Sequence, residues 1–292
     1  MRIFTGCACA LVTPFDAEGR LDAAALARLV RWQIGRGPDA LVVCGTTGEA
    51  STMTEREQAE AAANAVEAAD GRVPVIAGVG GNDTRRVIAA CKAARAAGAD
   101  GALAVTPYYN KTTQEGLIAH YTAVAEASEI PLILYNVPGR TGLNLRPETA
   151  AALARHENIA GMKEASGDMA QTMEAIRLCG AEFAVYSGCD ELTLPVLACG
   201  GAGVISTAAN VVPEKMRALC ALYFSGDLAG ARKMQQALAP LISALFARVN
   251  PIPVKAAAAI LGLCENNVRL PLVAMRPEET GGLRELLAEL AC

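Results

Sequence analysis

A lysine at the end of an apolar segment is the first residue whose position suggests chemistry. The apolar segment 159–162 is followed directly by Lys163, one of only six lysines, and then by Glu164. An ammonium is costly to remove from water, so burial disfavours the charged form and favours the free amine, which attacks carbonyl carbons. Lys163 is therefore a candidate for imine (Schiff-base) formation. The alternative is a lysine that extends to solvent and pairs with Glu164.

Hydroxyl groups stand at comparable positions, just after other short apolar segments. They occur in GTTGE at 45–49, TPYYN at 106–110 and YNVPGRTG at 135–142. Imine formation needs a proton given to a departing hydroxyl, and a phenol at Tyr135 could supply it, with Thr46 or Thr47 and Tyr109 extending the relay. Each tyrosine taken alone also fits a half-buried aromatic ring with a hydrated hydroxyl.

Two loops have the composition of carboxylate sites. Gly45 and Gly48 bracket the two threonines, which allows a tight turn whose amides and hydroxyls bind a small carboxylate at the start of the next helix. Arg140 offers a planar, forked donor for a second carboxylate. The simpler interpretations are an ordinary strand-to-helix turn and an exposed loop arginine.

These residues must be positioned by elements that alternate regularly along the chain. Strands are predicted at 9–12, 40–43, 75–77, 101–105, 132–135, 159–162, 184–186 and 203–205. Helices are predicted near 22–35, 55–69, 84–97, 114–127, 147–155, 168–178, 190–199 and 213–224. Continuous apolar strands separated by helices are typical of parallel strands buried on both faces.

Eight such units within about 225 residues favour a closed (β/α)₈ TIM barrel over an open, doubly wound sheet. No early G-x-G-x-x-G motif opens the chain, which argues against a dinucleotide fold. We therefore expect a barrel at 1–225 and a C-terminal helical appendix at 226–292 that packs on it. Because active sites of such barrels lie beyond the carboxyl ends of the strands, the polar residues above should meet at one mouth.

Composition limits the possible partners. Charged residues make up 19% of the chain and the net charge is −4, without the basic excess of a nucleic-acid binder. No segment approaches the roughly 18 apolar residues of a membrane span, and the amino terminus lacks a leader pattern, so we expect a cytoplasmic protein with no membrane partner.

Metal and disulfide chemistry are poorly supported by the sequence. Ten cysteines are spread along the chain without a C-x-x-C pair, and we interpret them mostly as small buried side chains. Only two histidines occur, His120 and His156, and neither follows a predicted strand. Neither a metal nor another cofactor is expected, which disfavours a metal-dependent aldolase.

The three hydroxyl-bearing segments resemble the dihydrodipicolinate synthase family. The same family is resembled by four further segments: GMKEASG at 161–167, SG at 187–188, GVIS at 203–206 and NPIPVK at 250–255. The match runs through nearly the whole chain in the right order. The resemblance implies a cofactor-free class I reaction in which pyruvate forms an imine on a lysine, becomes an enamine and attacks L-aspartate-4-semialdehyde. Cyclisation then gives 4-hydroxy-tetrahydrodipicolinate, on the diaminopimelate route to lysine.

The same resemblance implies roles for individual residues. Catalysis is assigned to Lys163, with a proton relay of Tyr135, Thr46 and Tyr109. Substrate contacts are assigned to Thr47 for the pyruvate carboxylate, Arg140 for the semialdehyde carboxylate, and backbone groups of Gly188 and Ile205 near the imine. It also implies a homotetramer made of two tight dimers, in which Tyr109 reaches a neighbouring subunit.

Two departures from the family pattern affect the expected function. Where lysine-inhibited relatives carry histidine and glutamate, this chain has glutamine and arginine, and the cationic Arg86 would repel an ε-ammonium. Weak or absent inhibition by lysine is therefore expected.

The second departure is an acidic pair. Asp190 and Glu191 stand where the related N-acetylneuraminate lyases bind a polyol, which keeps such a lyase as the alternative. The simpler interpretation is an acidic first helical turn.

Overall fold

A closed barrel of eight parallel strands forms the centre of the computed structural model, which describes residues 2–291. The strands are β1 Gly6–Ala10, β2 Ala40–Val43, β3 Val75–Gly78, β4 Gly101–Val105, β5 Leu132–Asn136, β6 Ile159–Glu164, β7 Ala184–Ser187 and β8 Gly203–Ser206. Each strand pairs with the next, and β8 pairs with β1. The predicted TIM barrel is confirmed.

Nine helices accompany the strands in the described part of the chain. They are α1 Ala23–Ile34, α2 Glu55–Ala69, α3 Thr84–Ala96, α4 Gln114–Ser128, α5 Pro138–Thr141, α6 Pro147–Leu153, α7 Met169–Cys179, α8 Thr193–Ala198 and α9 Pro213–Phe224. Three more follow the barrel: α10 Leu228–Leu245, α11 Ile252–Ile260 and α12 Gly281–Ala291. The boundary at 225/226 stays a prediction. Within residues 2–291, no helix has the length and apolarity needed to cross a membrane.

Apolar side chains fill the interior of the barrel, so it is a packed core and not a pore. They include Ala8, Val42, Ile76, Ile133 and Ile205. At the amino-terminal end, Phe4 stacks on Tyr186 with ring centroids 4.3 Å apart, and the Tyr186 hydroxyl donates to the Phe4 carbonyl at 2.7 Å. This contact adds two aromatic rings to the packed interior.

Several predicted boundaries were wrong. Strand β1 lies at Gly6–Ala10, not 9–12, because Leu11 and Val12 are as buried as the strand itself and apolarity does not mark where pairing stops. Strand β6 continues through Glu164, so Lys163 lies inside the strand and not beyond it. The helix expected at 190–199 is split into a 3₁₀ turn at Asp190–Leu192 and α8.

Candidate active site

Lys163 and Tyr135 form the centre of the site. The two residues are paired in register on the adjacent strands β6 and β5, so their side chains leave the same face of the sheet. The Lys163 Nζ lies 4.6 Å from the centroid of the Tyr135 ring. Both are buried, with 5% of Lys163 and 7% of Tyr135 exposed. The predicted proximity of the amine to the tyrosine is confirmed for the aromatic ring.

Glu164 points to the opposite face of β6 and does not pair with Lys163. Its carboxylate accepts hydrogen bonds from the Ser166 amide at 2.6 Å, Asn136 Nδ2 at 2.9 Å and Gln171 Nε2 at 3.3 Å. Among the described residues no ion pair joins Lys163 to a carboxylate. The alternative of a solvent-directed lysine paired with Glu164 is therefore wrong.

A polar network behind the two strands holds their relative position. Asn136 and Glu164 are themselves strand partners, one residue beyond Tyr135 and Lys163. Asn136 donates to both Glu164 and Asn144, and its own oxygen accepts from the Leu145 amide at 2.9 Å. Because every link is buried or partly buried, the network resists sliding of β5 against β6.

Gly188 lies directly against the lysine. A methyl group on its Cα would be 3.1 Å from Lys163 Cε, 3.0 Å from the Glu164 carbonyl oxygen and 2.6 Å from the Ala165 methyl. Its amide donates to that same carbonyl at 2.6 Å. Only glycine lets the segment after β7 approach so closely. Ile205, on β8, is fully buried in the interior of the barrel.

The two threonines after β2 face different environments. Thr46 is partly exposed, whereas Thr47 is 2% exposed. The Thr47 hydroxyl accepts from Asn250 Nδ2 at 3.0 Å and lies 3.4 Å from the hydroxyl of Thr207. The loop ends at Glu49, which adopts the left-handed conformation with a φ of 56°.

A cavity of about 520 Å³ opens beside Tyr135, whereas Lys163 and Thr47 are not among its lining residues. Thr46, Tyr108, Tyr135 and Arg140 line it, so three of the predicted residues meet there. It continues to Arg86, which is exposed. The cavity is large enough for two small carboxylic acids, since ligand sites commonly begin near 300 Å³.

Tyr109 and Arg140 lie at the periphery. Tyr109 is 90% exposed, has a φ of 68° and is not among the residues that line the cavity. Arg140 is exposed and lies in α5, a four-residue helix where the sequence predicted only a loop. Its Nη2 donates to the carbonyl of Asn250 at 3.4 Å.

Asp190 and Glu191 have separate environments. Asp190 is 1% exposed, and its Oδ2 accepts from the amides of Thr207 at 3.1 Å and Ala208 at 2.9 Å. Burial raises the pKa of this carboxyl group. Asp190 thus does more than begin a helical turn, because it ties the segment after β7 to the segment after β8. Glu191 is exposed.

Sequence reasoning missed the contribution of the C-terminal helices to this site. Asn250 contacts both Thr47 and Arg140, and Lys255 forms a fully buried ion pair with Glu49 at 2.5 Å. The motif NPIPVK contains both residues, but its spacing alone does not show what they touch. Within residues 2–291, no group of three or more histidine, cysteine, aspartate or glutamate side chains could hold a metal ion.

Comparisons with known proteins identify the family of the chain. The pattern of the Dihydrodipicolinate synthetase family matches residues 3–290. A 4-hydroxy-tetrahydrodipicolinate synthase from a Thermoanaerobacter species is 47% identical, covering 99% of this chain and 97% of the relative. The dihydrodipicolinate synthase of Thermotoga maritima superposes with a TM-score of 0.97 at 45% identity, covering 99% of both chains.

A further solved structure holds a ligand. It is the chloride-inhibited dihydrodipicolinate synthase of Acinetobacter baumannii complexed with pyruvate, which is 44% identical with a TM-score of 0.95 and covers 98% of this chain and 99% of its own. The likeness in each case extends over essentially the whole length of both chains, barrel and C-terminal helices together. The chain belongs to the dihydrodipicolinate synthetase family.

Proposed function

We propose that this protein condenses pyruvate with L-aspartate-4-semialdehyde through an imine on Lys163 and releases 4-hydroxy-tetrahydrodipicolinate. The observation that carries the proposal is a buried lysine with no ion-pair partner among the described residues, strand-paired with a buried tyrosine at 4.6 Å. The names of the relatives and the pyruvate complex of one of them support the choice of substrates.

The steps follow from the chemistry of a free amine. Lys163 Nζ attacks the keto carbon of pyruvate, and the resulting hydroxyl leaves as water after it receives a proton from the Tyr135 phenol. Loss of a proton from the pyruvate methyl group gives an enamine, whose carbon attacks the aldehyde of the second substrate. The amino group of that substrate then attacks the imine carbon, which closes the ring and releases the lysine.

Proton transfer is assigned to a relay of Tyr135, Thr46 and Tyr109. Thr46 and Tyr135 line the same cavity, which supports their pairing. Tyr109 is 90% exposed in a single chain, which supports a role at a neighbouring subunit. We therefore include a homotetramer of two tight dimers in the proposal, with Tyr109 of one chain completing the relay of the next.

Carboxylate binding is assigned to Thr47 for pyruvate and Arg140 for the semialdehyde. The forked guanidinium of Arg140 lies on the cavity wall, which suits a second, more exposed carboxylate. The close approach of Gly188 to Lys163 supports a backbone contact near the imine. A second backbone contact near the imine is assigned to Ile205 on β8. Pathway chemistry of this kind fits a cytoplasmic protein.

The lyase alternative is weakened by Asp190. A polyol site needs free carboxylates, whereas Asp190 is buried and bonded to two backbone amides. The test is a pair of assays on one enzyme preparation, one with pyruvate plus L-aspartate-4-semialdehyde and one with N-acetylneuraminate. We expect turnover only in the first. Cleavage of N-acetylneuraminate at a comparable rate would contradict the proposal.

A further inference from the structure

Asn250 connects the two predicted carboxylate-binding residues. It lies between α10 and α11 and is 7% exposed. Its Nδ2 donates to the Thr47 hydroxyl at 3.0 Å, while its backbone carbonyl accepts from Arg140 Nη2 at 3.4 Å. Thr47 lies in the loop after β2 and Arg140 lies in α5, after β5, so a residue outside the barrel joins two separate segments.

A buried ion pair holds the same loop from its other end. Lys255 Nζ lies 2.5 Å from Glu49 Oε1, and these side chains are 0% and 1% exposed. The second oxygen of Glu49 accepts from the Arg269 amide at 2.9 Å. A buried charge that loses its partner is strongly unfavourable, so the end of the threonine loop is fixed to α11.

The hydrogen bond from Asn250 restricts what the Thr47 hydroxyl can do. A threonine hydroxyl has one proton to donate and two lone pairs that accept. Because one lone pair takes the Asn250 N–H, the proton must point elsewhere. Within the structure its alternative acceptor is the Thr207 hydroxyl at 3.4 Å, a long contact that a carboxylate would replace.

We propose that Asn250 is a positioning residue for pyruvate binding, and that the C-terminal helical region thereby orients the Thr47 hydroxyl as a donor to the pyruvate carboxylate. This inference rests on the proposed function. It gives the helices after the barrel a role in substrate binding in addition to packing.

The test is a pyruvate titration of the adduct trapped on Lys163 by borohydride, for Asn250→Ala and Asn250→Asp. Loss of one hydrogen bond should raise the half-saturating pyruvate concentration by about 3- to 10-fold. Asn250→Asp should raise the half-saturating concentration further. Its carboxylate would accept the hydrogen bond from the Thr47 hydroxyl, which then cannot donate to pyruvate, and its negative charge would repel the substrate. Turnover at saturating pyruvate should change much less, which a general loss of structure would not produce.

Asn267→Ala is the matched control. The Asn267 amide donates to the Phe15 carbonyl at 3.2 Å from the same C-terminal region, and it makes no hydrogen bond to either threonine. Its pyruvate titration should match the wild type. Unchanged half-saturation in both Asn250 variants would overturn the proposal. Asn250→Asp keeps the shape of the side chain, so its titration decides the test should Asn250→Ala fail to fold.

A double-mutant cycle separates action through Thr47 from any other effect. In a Thr47→Val background, Asn250→Ala should add little to the half-saturating concentration, because the group it orients is gone. Fully additive effects would contradict the proposal. A wild-type protein that forms no pyruvate adduct would instead refute the proposed function, so the two failures are distinguishable.

Discussion

Gly188→Ala places one methyl group against the reactive lysine. The new Cβ would lie 3.1 Å from Lys163 Cε and 2.6 Å from the Ala165 methyl, where ordinary contacts are at 3.4–4 Å. Either the lysine and Ala165 or the segment after β7 must therefore move, by at least about 0.3 Å at the lysine and about 0.8 Å at Ala165. The Glu164 carbonyl, at 3.0 Å, opposes movement in its own direction.

The expected cost follows from these distances. Overpacking of this size typically destabilises a protein by about 1–3 kcal/mol. Displacement of a reacting atom by up to about 1 Å can cost 100-fold in rate, so we expect turnover to fall by about 10- to 100-fold. Turnover should fall by a much larger factor than the concentration of folded protein does.

The assay combines three measurements on the same preparation. Turnover with both substrates, the rate of borohydride trapping with pyruvate alone, and urea unfolding separate chemistry from stability. Gly282→Ala, in α12, is the control, because a methyl at that position would have no atom within 4 Å apart from its chain neighbours and the backbone of its own helix. It should retain wild-type turnover and trapping. Gly188→Ala with wild-type trapping and turnover would refute the close packing of Gly188 on Lys163.

Three further predictions address the relay, regulation and pH. Tyr135→Phe should lower turnover by about 100-fold or more while circular dichroism stays unchanged, and normal turnover would remove the phenol from the relay. Submillimolar lysine should not inhibit, because the cationic Arg86 lines the cavity and would repel the ε-ammonium of lysine. Clear inhibition in a titration would contradict this. Hydrogen bonding to Arg269 lowers the pKa of Glu57 to about 2, so Glu57→Gln should be less stable than wild type at pH 7. That difference should shrink as the pH falls from about 4.5 towards 2, and a constant difference in urea unfolding would argue against it.

The barrel and its reactive pair could be predicted because both depend on local pattern. Alternating apolar segments and helices define the eight units, and chain order places β5 beside β6, so Tyr135 and Lys163 become neighbours. Boundaries were less predictable. The run through Leu11 and Val12 is apolar and buried beyond the end of β1, and the polar pair Lys163 and Glu164 is still within β6.

Contacts between distant segments could not be predicted from the sequence. Asn250 meets Thr47 across about 200 positions, and nothing in the spacing of either segment encodes that encounter. The same holds for Asp190, which composition presents as an ordinary acidic helical turn but which binds amides after β8. Burial with specific partners, and not residue type, distinguishes these side chains from surface ones.

Covalent capture of pyruvate is the central claim, and peptide mass spectrometry after borohydride reduction tests it most directly. We expect a single modification that adds about 72 Da to the peptide containing Lys163, as reduction of a pyruvate imine requires. Lys255, which is fully buried and paired with Glu49, should stay unmodified. An unmodified Lys163, or an adduct on another lysine alone, would contradict the account.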